Sequence, residues 1–114
     1  DGMLVLEDGK VKELGTYESL QHKYAEISVT AYPRMLIMPG FIDTHIHFPQ
    51  IEIIAAYGEQ LLTWLNKYTF PTEGKFKDKA YAQKVAAIFL NELLKNGTTT
   101  ALVFATVHPE SVNA

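Results

Sequence analysis

The chain has 114 residues, 47% hydrophobic and 20% charged, with 10 Lys and Arg against 13 Asp and Glu for a net charge of −3. This is a globular composition able to bury a core, and its weak negative charge, with no basic block, argues against nucleic acid and anionic membranes as partners. There is no cysteine, so disulfides and thiolate metal sites are excluded and any metal must be held by His and carboxylate.

From the N-terminus, MLVLE and VKEL are two short apolar runs separated by Asp8-Gly9, a turn signal that predicts a β-hairpin over Met3–Leu14. Tyr17–Tyr24 has helical composition with Thr16 placed to cap it, so a turn or two of helix is expected. ISVTAY then returns to strand-like alternation until Pro33 interrupts it. RMLIM before Pro39-Gly40 reads as a short buried strand ended by a turn. These segments predict an antiparallel β unit.

After Gly40 the character changes. FIDTHIH, Phe41–His47, is β-compatible; Gly58–Tyr68 sets Leu61, Leu62 and Leu65 with Trp64 along a helical face. Lys77–Asn96 predicts the longest helix, with Tyr81, Val85, Ile88, Phe89 and Leu93 on one stripe, Asp78 at its start and Asn96-Gly97 as its stop. Thr98–Phe104 reads as a largely buried strand, and Pro109 as the first residue of another helix. Strand, helices, strand and helix make a βαβ pattern, hence an α/β fold with parallel strands that need sheet neighbours. The expected boundary lies between a partial N-terminal β domain, 1–38, and the βα units, 39–114. No internal repeat is present. The chain begins DGMLVL and ends SVNA without a closing element, so it reads as part of a longer polypeptide. No apolar run approaches the roughly 18 residues that span a bilayer, and no secretory leader is visible. With the missing cysteines, this sets a cytoplasmic expectation.

The chemistry concentrates in MPGFIDTHIHFPQ, Met38–Gln50. On a strand, Asp43, His45 and His47 share one face while Ile42, Thr44 and Ile46 share the other. In a helix, residues two apart diverge by about 200° and could not meet one ion. On the strand the histidines lie about 7 Å apart at Cα, within reach of a common cation. Without a metal, the same pair would be a surface accident or a hydrogen-bonded core pair. Two ligands are also short of the three that a catalytic zinc site requires. Asp43 could orient a ligand, cap the strand or form an ion pair; Trp64 fits a core as well as a site wall. Gln50 could face solvent in a loop. His22 reads as a surface histidine, and His108 as a residue preceding a helix.

MPGFIDTHIHFPQ resembles the PG-x-x-D-x-H-x-H signature of the amidohydrolase superfamily. LLTWLNKYTFPTE, Leu61–Glu73, and LKNGTTTALVFATVH, Leu94–His108, look narrower and are similar to the corresponding stretches of guanine deaminases. This resemblance implies a partial (β/α)8 TIM barrel preceded by part of a small β-sandwich domain. It also implies zinc held by His45 and His47, with a histidine, an aspartate and a proton-shuttling glutamate supplied from beyond Ala114. A zinc-activated water would then convert guanine to xanthine and ammonia. By the same resemblance Gln50 is the purine-contacting residue, Trp64 lies near the mouth of the site, and a homodimer is allowed. No catalytic acid or base is expected within 1–114. The alternatives are another amidohydrolase, such as a cytosine or adenosine-type deaminase or a triazine hydrolase, and an inactive portion with weak metal binding.

Overall fold

The computed structural model describes residues 1–114, which divide into two compact units, Asp1–Ile37 and Met38–Ala114. In the first unit, strands β1 (Gly2–Glu7) and β2 (Lys10–Thr16) form an antiparallel hairpin. Asp8 and Gly9 take φ of 50° and 73° at the turn, the conformation that matches the twist of a two-residue hairpin connection. A bulge between Val5 and Leu6 offsets the register. Helix α1 (Tyr17–Leu20) follows directly, with the Thr16 hydroxyl accepting from the Ser19 N–H at 3.3 Å. Val5, Leu20 and Tyr24 form a small core joined by Met3. The Tyr24 hydroxyl donates to Glu13 at 2.5 Å, and Lys23 pairs with the same carboxylate oxygen at 2.6 Å. Lys23 and then Tyr24 hold that partly buried carboxyl below its usual range.

Neither ISVTAY nor RMLIM is a strand, which corrects the sequence expectation. The sheet of this unit contains β1 and β2 alone, so no other backbone pairs with these segments, and an extended run without a ladder partner stays irregular. Arg34 enters the left-handed region at φ 61°, which breaks the second run near its start. Met35 and Leu36 are 71% and 82% exposed, not buried.

The second unit is built on a parallel pair, β3 (Phe41–His47) and β4 (Thr98–Phe104). Between them run a 3-10 segment (Phe48–Ile53), a helical stretch from Leu61 to Lys77, and helix α4 (Lys79–Lys95). Helix α5 (Pro109–Val112) follows β4 with proline in its first turn, as expected. The Leu61–Lys77 stretch changes pitch along its length: α2 (Leu61–Trp64), a π-helical turn (Leu65–Thr69), α3 (Phe70–Glu73) and a 3-10 turn (Gly74–Lys77). Pro71 accounts for the wide turn. It has no N–H to donate back to Lys67, and its ring crowds that carbonyl. The helix therefore starts later than Gly58 and runs beyond Tyr68. Leu61 and Leu62, expected to pack, are 68% and 73% exposed.

Helix α4 agrees with the expected bounds to within two residues, and both ends have local causes. The Asp78 carboxylate accepts from the Tyr81 N–H at 3.0 Å, satisfying one of the free donors of the first turn. At the other end Gly97 takes φ 83° and its N–H donates to Leu94, the left-handed stop that returns the chain to the sheet. Its carbonyl accepts from the Phe41 N–H at 2.7 Å, so the residue that ends α4 also anchors the start of β3. Phe48, Phe76, Ala82, Val85 and Phe89 form the core, with Ile46 of β3 packed on it. Phe76 is fully buried, meeting Phe48 edge-on at 5.2 Å and Tyr81 edge-on at 5.1 Å. Ile88, assigned by periodicity to the buried stripe, is exposed; Ala82 takes a place there. β4 is also more exposed than expected, because its sheet has two strands and helix α4 covers it partially.

Gly40 meets a tighter constraint than a turn. A Cβ there would lie 2.1 Å from Thr99 Oγ1 and 2.7 Å from Thr99 Cβ. Rotation about χ1 moves the hydroxyl but leaves Cβ in place, so the backbone itself would have to yield. Thr99 is the extra residue where Phe41 pairs with Thr98 and Ile42 with Thr100, and it fills the space that glycine leaves open.

Two stability measurements check these origins. In urea unfolding of the complete protein, Asp78→Ala should cost about 1 kcal/mol through the lost cap. Gly40→Ala should cost more than Asp78→Ala, and Thr99→Gly in the same chain should recover part of the Gly40→Ala loss, since it removes the side chain that the new methyl strikes. Equal losses with and without Thr99→Gly would show that the close approach does not set the cost.

Candidate metal and ligand site

The two histidines stand at the C-terminal end of β3, where the strand is irregular. Asp43 pairs with Ala101 and Ile46 with Val103, so Thr44 and His45 together oppose Leu102 alone. This is a bulge, a feature that re-aims side chains beside functional sites and is uncommon in parallel pairs. Asp43 supports it: its Oδ1 accepts from the His45 N–H at 3.0 Å, so a side chain takes a donor that the ladder would otherwise use. The carboxylate is directed to the backbone of the site.

The bulge leaves the imidazoles convergent. His45 Nε2 and His47 Nε2 lie 3.2 Å apart, with ring centroids at 5.2 Å. Two nitrogens held about 2.0–2.1 Å from one tetrahedral ion would be separated by about 3.3 Å. The separation matches two corners of a single tetrahedral metal centre, and it is also the length of a hydrogen bond from one ring to the other. No third His, Cys, Asp or Glu joins them to make a larger metal-binding cluster in the chain. His22 lies in the other compact unit, and His108 precedes α5.

Phe104 was missed by the sequence reading, which placed it only as the last residue of a largely buried strand. It pairs in register with His47, and its ring lies 4.8 Å from that imidazole in a stacked arrangement and 4.7 Å from His45. One aromatic face thus backs both histidines. The signal was the parallel pairing itself, because the last residue of TTTALVF falls opposite the second histidine once β3 and β4 are aligned.

A cavity of about 470 Å³ opens beside this pair, within the size range of small-molecule sites. His45, His47, Gln50 and Trp64 all line it, so four residues singled out from the sequence reach one space. Gln50 is held by the 3-10 segment after β3, where Phe48 and Pro49 are buried and act as the anchor. Its Nε2 donates to Glu73 Oε1 at 3.2 Å. Two residues on, Glu52 forms a 2.6 Å ion pair with Lys75, and that lysine, followed by Tyr81, holds the Glu52 carboxyl below its usual range. The 3-10 segment is therefore tied twice to the stretch following Pro71. Burial, with the Glu52 carboxylate nearby, pushes the Tyr81 phenol up to about 12. Trp64 closes α2 at the edge of the π-helical turn, its ring 6.5 Å from that of Tyr68. The wide turn thus lies directly after a residue on the cavity wall.

The arrangement can be set beside known proteins. The chain is 56% identical over its whole length to guanine deaminase of Escherichia coli K12 and covers 26% of that protein. The crystal structure of guanine deaminase from Bradyrhizobium japonicum superposes with a TM-score of 0.92 at 42% identity, over 98% of this chain and 24% of that one. Guanine deaminase from C. acetobutylicum, solved with bound guanine in its active site, gives 0.84 at 37% identity, over 95% of this chain and 26% of that one. The chain thus spans about a quarter of the length of these relatives. Residues 36–114, which carry both histidines, the cavity and the parallel strand pair, match the amidohydrolase family, and to that family the chain belongs.

Proposed function

We propose that this chain is the part of a guanine deaminase that supplies two metal ligands and one wall of the substrate pocket. In the complete protein, guanine and water would give xanthine and ammonia. The observation that carries the reading is the convergence of His45 Nε2 and His47 Nε2 at 3.2 Å beside a cavity that Gln50 and Trp64 also line. Whole-chain identity to a guanine deaminase and the guanine-bound relative support the choice of substrate. On this reading β3, the intervening helices and β4 belong to a (β/α)8 barrel, with the histidines at the end of the strands where such barrels carry their sites.

Zinc is the ion we assign to His45 and His47, since neutral imidazoles suit it and no thiolate is present. Bound there, it supplies Lewis-acid chemistry that makes water a nucleophile at neutral pH. The chain's own residues hold and orient. Asp43 fixes the backbone of the bulge that aims His45, and Phe104 limits the tilt of both rings. Gln50 can donate and accept, as the mixed donor and acceptor edge of a purine requires. Trp64 offers an apolar face to a flat ring.

Ammonia release should be measured on the complete reading frame with guanine, adenine and cytosine. Guanine should be the preferred substrate; preferred turnover of cytosine would overturn the assignment. His45→Ala and His47→Ala should each lower activity by more than about a hundredfold and lower bound zinc. Phe104→Ala should weaken zinc by about tenfold in chelator competition, because the two imidazoles lose the ring that orients them. An unchanged affinity would reduce Phe104 to packing.

A further inference from the structure

Gln50, which lines the cavity, meets Glu73, 23 residues on and outside the cavity wall, and both are partly buried. A primary amide is ambiguous by itself: rotated by half a turn about its last bond, it exchanges its oxygen and its NH₂. An ionised carboxylate removes the ambiguity, because it accepts hydrogen bonds and donates none. The NH₂ of Gln50 must therefore face Glu73, at 3.2 Å. The amide oxygen has no partner within the chain and remains available to a ligand, together with the second N–H. The segments that carry the two residues are also joined apart from this bond, by the Phe48–Phe76 contact and the Glu52–Lys75 pair.

We infer that Glu73 is a positioning residue for substrate recognition: its carboxylate binds the Gln50 amide nitrogen and so presents the amide oxygen to an N–H of the purine. The inference rests on the reading of Gln50 as the purine contact. It adds a determinant of selectivity, since an amide held in this sense favours a ring edge carrying a donor over one carrying acceptors alone. Glu73 itself touches no substrate; it acts through Gln50.

The test is a double-mutant cycle in the complete, zinc-loaded enzyme, read as kcat and KM for guanine. Glu73→Ala should raise KM by about tenfold, the value of one charge-assisted hydrogen bond, while kcat changes less than twofold and zinc content stays at the wild-type level. Glu73→Gln retains an acceptor but can also donate, so its KM should fall between wild type and Glu73→Ala. In a Gln50→Ala background, Glu73→Ala should have no further effect on KM, because nothing remains to be oriented. Additive effects on KM, or a fall in thermal stability with KM unchanged, would overturn the positioning role while leaving guanine deamination intact. Failure of the wild-type enzyme to turn over guanine would remove the functional reading and this assignment together.

Discussion

The parallel pairing of β3 with β4 is the constraint on which the site depends. It joins residues more than fifty positions apart, and the arrangement of the histidine pair follows from its register. The bulge at Thr44 and His45 exists only relative to β4, and Phe104 backs the imidazoles only because it pairs with His47. The pairing is secured at its other end by Gly97, whose carbonyl binds the Phe41 N–H, and by the lack of a side chain at Gly40, where Thr99 occupies the space. Two glycines that look like ordinary turn residues thus set the alignment of the sheet.

The second constraint is the Phe48–Phe76 contact and the buried faces of α4 around it. A small two-stranded sheet has little apolar area of its own, so the strands depend on the layer laid across them. That layer also brings the stretch after Pro71 against the 3-10 segment, which is how Glu73 reaches Gln50 and Lys75 reaches Glu52. Proline, by widening one turn, permits a helix to continue past Trp64 without carrying its regular pitch through. Core packing and the cavity wall therefore share one segment: Phe48 and Pro49 anchor the turn from which Gln50 projects.

Much of this was legible because it is local. Hairpin, caps and stops at Asp8-Gly9, Thr16, Asp78 and Gly97 rest on side-chain or backbone preferences acting over three or four residues, and each appears where those preferences put it. The HxH spacing on a strand is a local signal too, since period-two alternation brings two imidazoles to one side. The errors share a cause. RMLIM and ISVTAY have strand composition, but a strand is a pairing, and no partner in this chain meets them. Leu61, Leu62 and Ile88 follow an apolar rhythm and are exposed, because periodicity identifies a stripe without saying what covers it.

The amino-acid sequence by itself determined the family and the candidate residues: histidines with no thiol rival, on a strand, followed by a glutamine and by segments similar to guanine deaminases. It determined where α4 begins and ends, for Asp78 and Gly97 act on neighbouring residues, but not the bounds of the Leu61–Lys77 stretch. Only the tertiary structure decided that the two nitrogens stand 3.2 Å apart, that Phe104 lies against both rings, and that Glu73 holds the Gln50 amide. Those relations join residues distant in the chain, and the register and packing that create them are properties of the folded whole.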